Sequence, residues 1–258
     1  MFLSDFHLGT KNAKAELLLE FLDSHDAETI FLVGDIVDIW RLQKHPHWPG
    51  PHNEVLQALL RKARRGARLI LIPGNHDEAL REYCGQTFGP VSLELNAIHV
   101  TADGQRFVVM HGDEFDIVVC HAPWLAHFGD SAYNFALWLN SRFNSVRRTA
   151  GLGYWSLSAF LKRKVKQAVN FIGRYETTLA REAQRRDADG IICGHIHHAA
   201  MRRINGITYI NTGDWVESCT AVVEHSSGVL ELVYWGQRKP VSRWRRRRTS
   251  TAELVPAE

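Results

Sequence analysis

The sequence predicts a layered α/β fold, on two observations. Short apolar, strand-like runs alternate with helical stretches over the first 120 residues, the order that sheets covered by helices produce. Four of those runs, and a fifth at Gly190–Cys193, also end in small sets of Asp, His and Asn beside Gly, as in α/β sheets whose strand ends converge on a ligand crevice.

Taken in order, Phe2-Leu3-Ser4, Ile30 to Val33, Leu69 to Ile72 and Phe107 to Met110 are strand-like, with helices over Ala15–Leu22 and Glu54–Arg65. The first strand is short because a polar set begins at Ser4. Residues 123–186 read as a helical insertion. One apolar stripe runs through Phe135, Trp138, Leu139 and Phe143, and a second from Leu157 to Leu179 at spacings of three and four. Gly151-Leu152-Gly153 separates the two, and Ser156 or Ser158 can cap the second helix. An ordinary hairpin packed on the core and a lid over an active site fit these stripes equally. Strands return at Gly190–Cys193, Ile207–Ile210, Cys219–Glu224 and Val229–Trp235, with turns at Asn205-Gly206 and Ser226-Ser227-Gly228. The predicted organisation is a core of residues 1–122 and 187–237, an insertion over 123–186, and a flexible basic tail over 238–258.

Composition excludes several classes. With 258 residues, 45% hydrophobic and 23% charged, the chain can bury a sizeable core and does not resemble a disordered one. No run of 18 apolar residues exists to span a membrane. No secretory signal opens the chain, and Cys84, Cys120, Cys193 and Cys219 form no C-x-x-C pair, so they read as reduced, buried thiols of a cytosolic protein. The net charge of +3 is unevenly spread. Residues 131–186 carry eleven Lys or Arg against Glu176 and Glu182, and the stretch from Arg238 onward carries seven against two acids, leaving an acidic body. That pattern suits a cation-binding body whose basic parts meet phosphate or an anionic membrane.

The five polar sets are Ser4-Asp5-Phe6-His7, Gly34-Asp35-Ile36-Val37-Asp38, Gly74-Asn75-His76-Asp77, His111-Gly112-Asp113 and Gly194-His195-Ile196-His197. They offer Asp5, His7, Asp35, Asn75, His111, His195 and His197 as ligands. No thiolate belongs to the set, which argues against a structural zinc site, and mixed N and O donors suit Mn²⁺, Fe²⁺, Zn²⁺ or Co²⁺. Seven donors are too many for one tetrahedral ion with an open position. They suit two ions roughly 3.5–4 Å apart sharing a carboxylate, an arrangement that clamps a phosphoryl group for in-line attack.

The series D-x-H, G-D-x-x-D, G-N-H-D, H-G-D and G-H-x-H, in this order over residues 4–197, resembles the calcineurin-like metallophosphoesterases. The resemblance implies a four-layer α/β/β/α metallophosphoesterase sandwich and a metal-dependent hydrolase with two divalent metal ions, Mn²⁺ first, then Fe²⁺, Zn²⁺, Co²⁺ or Mg²⁺. Carried over by position, it puts one ion on Asp5, His7, Asp35 and His197 and the other on Asp35, Asn75, His111 and His195. Asp35 then bridges, His76 is the catalytic histidine and Asp77 orients it.

A closer resemblance is to the branch of UDP-2,3-diacylglucosamine pyrophosphatases of lipid A synthesis. These cleave a nucleotide–lipid diphosphate to UMP and an acylated sugar 1-phosphate at the inner face of the cytoplasmic membrane, and carry a helical insertion after H-G-D. The resemblance implies a nucleotide-sugar or lipid phosphoester substrate and a cytoplasmic location, peripheral on that membrane face. One departure stands out: His76 occupies the place where that branch usually has Arg, which points to a sister group. A soluble phosphodiesterase or phosphatase acting on a nucleotide or another phosphoester therefore stays open, and a non-catalytic scaffold is disfavoured because all seven ligands and His76 are present. Candidate substrate contacts are Asp38, Trp40, Arg81, Tyr154, Lys162, Lys166 and His198. Asp38, Asp113 and Asp116 are expected to accept hydrogen bonds from ligand imidazoles, and Asp214 to serve either the site or a turn. Trp244, among Arg243 to Arg248, reads as a membrane anchor, a solvated tail or a nucleic-acid contact. Nucleic acid is the disfavoured partner, and no protein partner is evident.

Overall fold

In a computed structural model of the protein, residues 1–116, 157–236 and 242–243 are described, with side chains over 1–116 and 170–236. Side chains alternate across each strand, and the sequence supplies apolar residues for both faces. Strand β1 (Phe2–Leu3) sends Phe2 one way and Leu3 the other, and β2 (Thr29–Val33) divides Ile30 and Leu32 from Phe31 and Val33. Between them runs α1 (Ala15–Ser24), which buries Ala15, Leu18, Phe21 and Leu22. After β2 come α2 (Ile39–Lys44), α3 (Gly50–Arg64), β3 (Arg68–Ile72), a 3-10 turn (Glu78–Tyr83), β4 (Thr87–Phe88), β5 (Val91–Leu93), β6 (Ala97–Val100) and β7 (Arg106–Val109). A second 3-10 turn (Asp113–Phe115) follows; α4 (Leu157–Arg185), β8 (Gly190–Cys193), β9 (Ala200–Ile204), β10 (Ile207–Asn211), β11 (Thr220–Glu224), β12 (Leu230–Tyr234) and β13 (Ser242–Arg243) complete the described elements.

Two mixed sheets result, in the orders β13-β12-β11-β1-β2-β3-β5-β4 and β6-β7-β8-β10-β9. The inner strands β1, β2 and β3 are mutually parallel, as are β7, β8 and β10. Three apolar cores separate four layers. Leu3, Ile30, Leu32 and Leu69 meet α1 and α3 on one side of the first sheet. Phe2, Phe31, Val33 and Ile72 meet Phe107, Val109, Ile192 and Ile210 between the sheets. Val108, Ile191 and Tyr209 meet Tyr175, Leu179, Ala180 and Ala183 of α4 on the far side. This is the expected α/β/β/α sandwich, and its two runs of parallel strands carry their carboxyl ends toward the polar sets.

Several elements lay below the sequence signal. Six-residue α2 is too short for a helical period and is started by its cap: Asp38 Oδ1 accepts from Arg41 N at 2.8 Å. Helix α3 begins at Gly50 rather than Glu54 because Pro51 sits in its first turn, where a missing N–H costs nothing. Strand β9 is an edge strand with exposed Arg202 and Arg203, so it shows no apolar run. Ser242–Arg243, within the expected tail, pair with Leu232 and Glu231 of β12. Cys193 and Cys219 are buried free thiols, whereas Cys84 is only half-buried. The stripe at Phe135 to Phe143, the Gly151-Leu152-Gly153 break, Ser156, Tyr154, Cys120, Trp244 and the side chains of Lys162 and Lys166 lie outside the described residues. No helix among the described residues is long and apolar enough to cross a membrane.

Candidate metal centre

The polar sets stand on strained backbone. Among the described residues eight non-glycine residues have positive φ, and five are candidate ligands: Asp5 (53°), His7 (48°), Asp35 (55°), His195 (72°) and His197 (51°). Each such conformation costs on the order of 1–3 kcal/mol and persists only where neighbours impose it. The neighbours are identifiable. Asp5 N donates to Gly34 O, His7 N to Asp35 O and Leu8 N to Ile36 O, each at 3.0 Å, zipping the first set to the second. Asp77 then accepts from Gly74 N at 2.6 Å and Ile36 N at 2.8 Å, with Asp35 N and Val37 N at 3.3 and 3.4 Å. Gly34 is required twice over: its φ is +82°, and a Cβ there would overlap the His111 imidazole.

The two buried aspartates each commit one oxygen to the backbone and free the other. Asp35 Oδ1 accepts from His76 N at 2.9 Å, while Oδ2 lies 3.5 Å from His111 Nε2, 3.8 Å from His7 Nε2 and 4.0 Å from His76 Nε2. Asp5 Oδ2 accepts from His195 N at 3.1 Å, and Oδ1 lies 3.3 Å from His197 Nε2 and 3.9 Å from His7 Nε2. His7 Nε2 and His197 Nε2 are 3.1 Å apart. Because a carbonyl only accepts, His111 Nδ1 donates to Val33 O at 2.9 Å, which turns its Nε2 toward Asp35.

Three groups bring their donor atoms within 4.8 Å of one another: Asp5, His7 and His197; Asp35, His111 and His195; and His7, Asp38 and His76. Asp5 Oδ1, Asn75 Oδ1 and His111 Nε2 are buried without a hydrogen-bond partner among the described residues. Such atoms are costly unless a cation or donor meets them. A hard N and O donor set of this kind fits divalent cations. Burial opposes charge on His111 and His197, yet Asp35 and Asp5 more than offset it at His111 and push it up to about 10. Asp5 and Asp214 likewise hold His197 at about 9. Burial also opposes charge on Asp35, and the facing His111, His7 and His76 overcome it, holding the carboxyl well below its usual range.

His76 stands at the open side, its side chain 27% exposed against 1% for His111. Asp38 Oδ2 lies 3.1 Å from its Nδ1 and 3.5 Å from His7 Nδ1. Burial lowers the His76 pKa, but Asp38 and Asp35 raise it more, for a net upward shift. The expectation that Asp77 orients His76 is corrected: Asp38 faces the imidazole, and Asp77 is occupied by the four amides already described. Asp116 Oδ2 lies 2.9 Å from His195 Nε2, a candidate ligand imidazole. Asp113 instead ion-pairs with Arg81 Nη2 at 2.6 Å. Asp214 serves both a turn and the site, accepting from the amides of Val216, Glu217 and Ser218 and lying 3.8 Å from His197 Nδ1. The Trp40 ring packs 4.6 Å from His76 with its Nε1 on Glu78, and His198 is exposed. Buried His52, outside the polar sets, accepts from Gly9 N at 3.0 Å and braces the first set; a lone histidine in α3 carries no sequence signal for that role.

The chain belongs to the calcineurin-like phosphoesterase family, whose model matches residues 1–199, and is a metal-dependent hydrolase. It is 24% identical over 226 residues to the UDP-2,3-diacylglucosamine hydrolase of Neisseria gonorrhoeae, covering 83% of this chain and 88% of the relative. A protein of the same name from Shewanella sp. is 23% identical over 250 residues, covering 89% and 95%. The solved structure of Yfce, a phosphoesterase from E. coli, shares 15% identity with a TM-score of 0.48, covering 95% and 97%.

Proposed function

We propose that this protein hydrolyses the diphosphate of UDP-2,3-diacylglucosamine, or of a related UDP-acyl-sugar, at a dinuclear centre loaded with Mn²⁺. The observation that carries the dinuclear reading is Asp35 Oδ2, which faces imidazoles of both ligand groups while its partner oxygen is tied to the backbone. Asp5, His7, Asp35 and His197 would hold one ion, and Asp35, Asn75, His111 and His195 the other. Bound there, the ions supply charge neutralisation at the phosphoryl oxygens and acidify the attacking water. His76, on the open side, donates its Nε2 proton to developing charge on the phosphoryl or leaving oxygen. Asp38 Oδ2 lies 3.1 Å from the Nδ1 side of that ring, and its charge favours the imidazolium.

The names of the relatives support the substrate, and the basic residues of 131–186 and of the tail support docking on an anionic inner-membrane surface. His76 in place of Arg favours a second reading, a soluble phosphodiesterase or phosphatase on a different phosphoester. One assay separates them. Mn²⁺-loaded protein is given UDP-2,3-diacylglucosamine, with and without anionic vesicles, and products are read by mass spectrometry. Release of UMP and acylated sugar 1-phosphate, faster with vesicles, is the expected result. No turnover beside clear hydrolysis of an aryl phosphodiester would select the second reading.

A further inference from the structure

Tyr175 of α4 reaches from the outer helical layer to the back of the metal centre. The residue is 2% exposed, and its hydroxyl lies within hydrogen-bond reach of two carbonyl oxygens, His111 O at 3.5 Å and Gly194 O at 3.4 Å. Those carbonyls belong to the two loops that present His111 and His195, which are further joined by Gly194 N donating to His111 O at 3.2 Å. Asn211 Nδ2 donates to the same Gly194 O at 2.6 Å. The Tyr175 ring is 6.0 Å from the His195 ring, and a Cβ on Gly112 (φ +100°) would overlap the Tyr175 hydroxyl, so the loop after His111 is shaped around it. Leu179, one turn on, is fully buried in the same core without touching either carbonyl through a polar atom. A Phe would fill the apolar space as well; only the hydroxyl meets both loops.

We infer that Tyr175 is a positioning residue: its hydroxyl sets the spacing between the His111 and His195 loops, and so lets α4 act chiefly on the half of the metal centre that His111 and His195 form. The inference rests on the dinuclear reading above. Of the first group's candidate ligands only His197, two residues beyond His195, lies on the two loops that Tyr175 meets, and its Nε2 faces Asp5 and His7.

The test is a Mn²⁺ titration of metal-free full-length protein by equilibrium dialysis with metal analysis, with thermal melts alongside. Wild type is expected to bind two equivalents. Tyr175→Phe should keep one at wild-type affinity and bind the second roughly 10–100-fold more weakly, the scale seen when a partner behind a metal ligand is lost. Leu179→Ala, which damages the same packing without touching the hydroxyl, should lower the Tm yet keep both affinities. Tyr175→Phe binding both equivalents as wild type does, or weakening both alike, would overturn the inference. So would a selective loss in Leu179→Ala as large as that in Tyr175→Phe. A wild type that binds a single equivalent would instead overturn the dinuclear reading beneath it, a result distinct from two unperturbed equivalents in the variant.

Discussion

At the residue scale, the site is a problem of compensating buried negative charge. Asp5 and Asp35 are both essentially inaccessible, and each keeps one oxygen turned toward imidazoles. Without a cation, protons on His111 and His197 balance that charge, which is why their pKa values rise to about 10 and about 9. Metal ligation needs the neutral imidazole, so metal binding must expel those protons. At pH 7, calorimetry in two buffers of different ionisation enthalpy should show release of about two protons per protein, and the apparent Mn²⁺ affinity should rise with pH until both groups have titrated. For the metal-free fold the pH dependence runs the opposite way. Folded pKa values above the unfolded value near 6.5 add stability that is complete below it and lost as pH climbs through about 9 and 10. No proton release would contradict this account. His76 differs in kind, being half open and outside the ligand groups assigned to the ions. His76→Ala should therefore keep the bound metal and lose roughly 10²–10³ in kcat, the scale of a removed oxyanion donor; unchanged kcat would remove His76 from the chemistry.

At the element scale, the short turns after the strands carry the burden. Five left-handed candidate ligands are held by backbone bonds between turns and by one carboxylate, Asp77, on four amides. Gly34→Ala tests how tightly this is built, because the added Cβ meets a left-handed φ and the His111 ring together. The expected cost is about 2–4 kcal/mol, or a Tm fall on the order of 10 °C, with metal loss in dialysis; an unchanged Tm would show slack at that turn. This scale also shows what the sequence made legible. The strands that end in candidate ligands are apolar runs followed by Gly, Asp, His or Asn, and β1, β2, β3, β7 and β8 all emerged from that pattern within a residue or two. Edge strands β4, β6 and β9 did not, since an edge needs no continuous apolar run. The candidate ligand residues were readable because they cluster in sequence. Asp38 as the partner of His76, Asp113 as the partner of Arg81, and His52 behind Gly9 were not, because these contacts are set by how turns from distant strands face one another.

At the scale of the whole molecule, two sheets bring their parallel strand ends to one end of the sandwich, and each sheet supplies one side of the site. Asp5, His7, Asp35 and Asn75 follow strands of the first sheet, and His111, His195 and His197 follow strands of the second. Asp35 is the residue through which the two halves meet, its Oδ2 facing His7 from its own sheet and His111 from the other. The measurement that tests this most directly is the metal content of purified wild type and Asp35→Ala after reconstitution with Mn²⁺ and dialysis, read together with phosphodiesterase activity. The account predicts two equivalents in wild type, loss of most of the metal in Asp35→Ala, and nearly complete loss of activity, with the variant still folded by circular dichroism. Two equivalents and full activity retained in Asp35→Ala would contradict it.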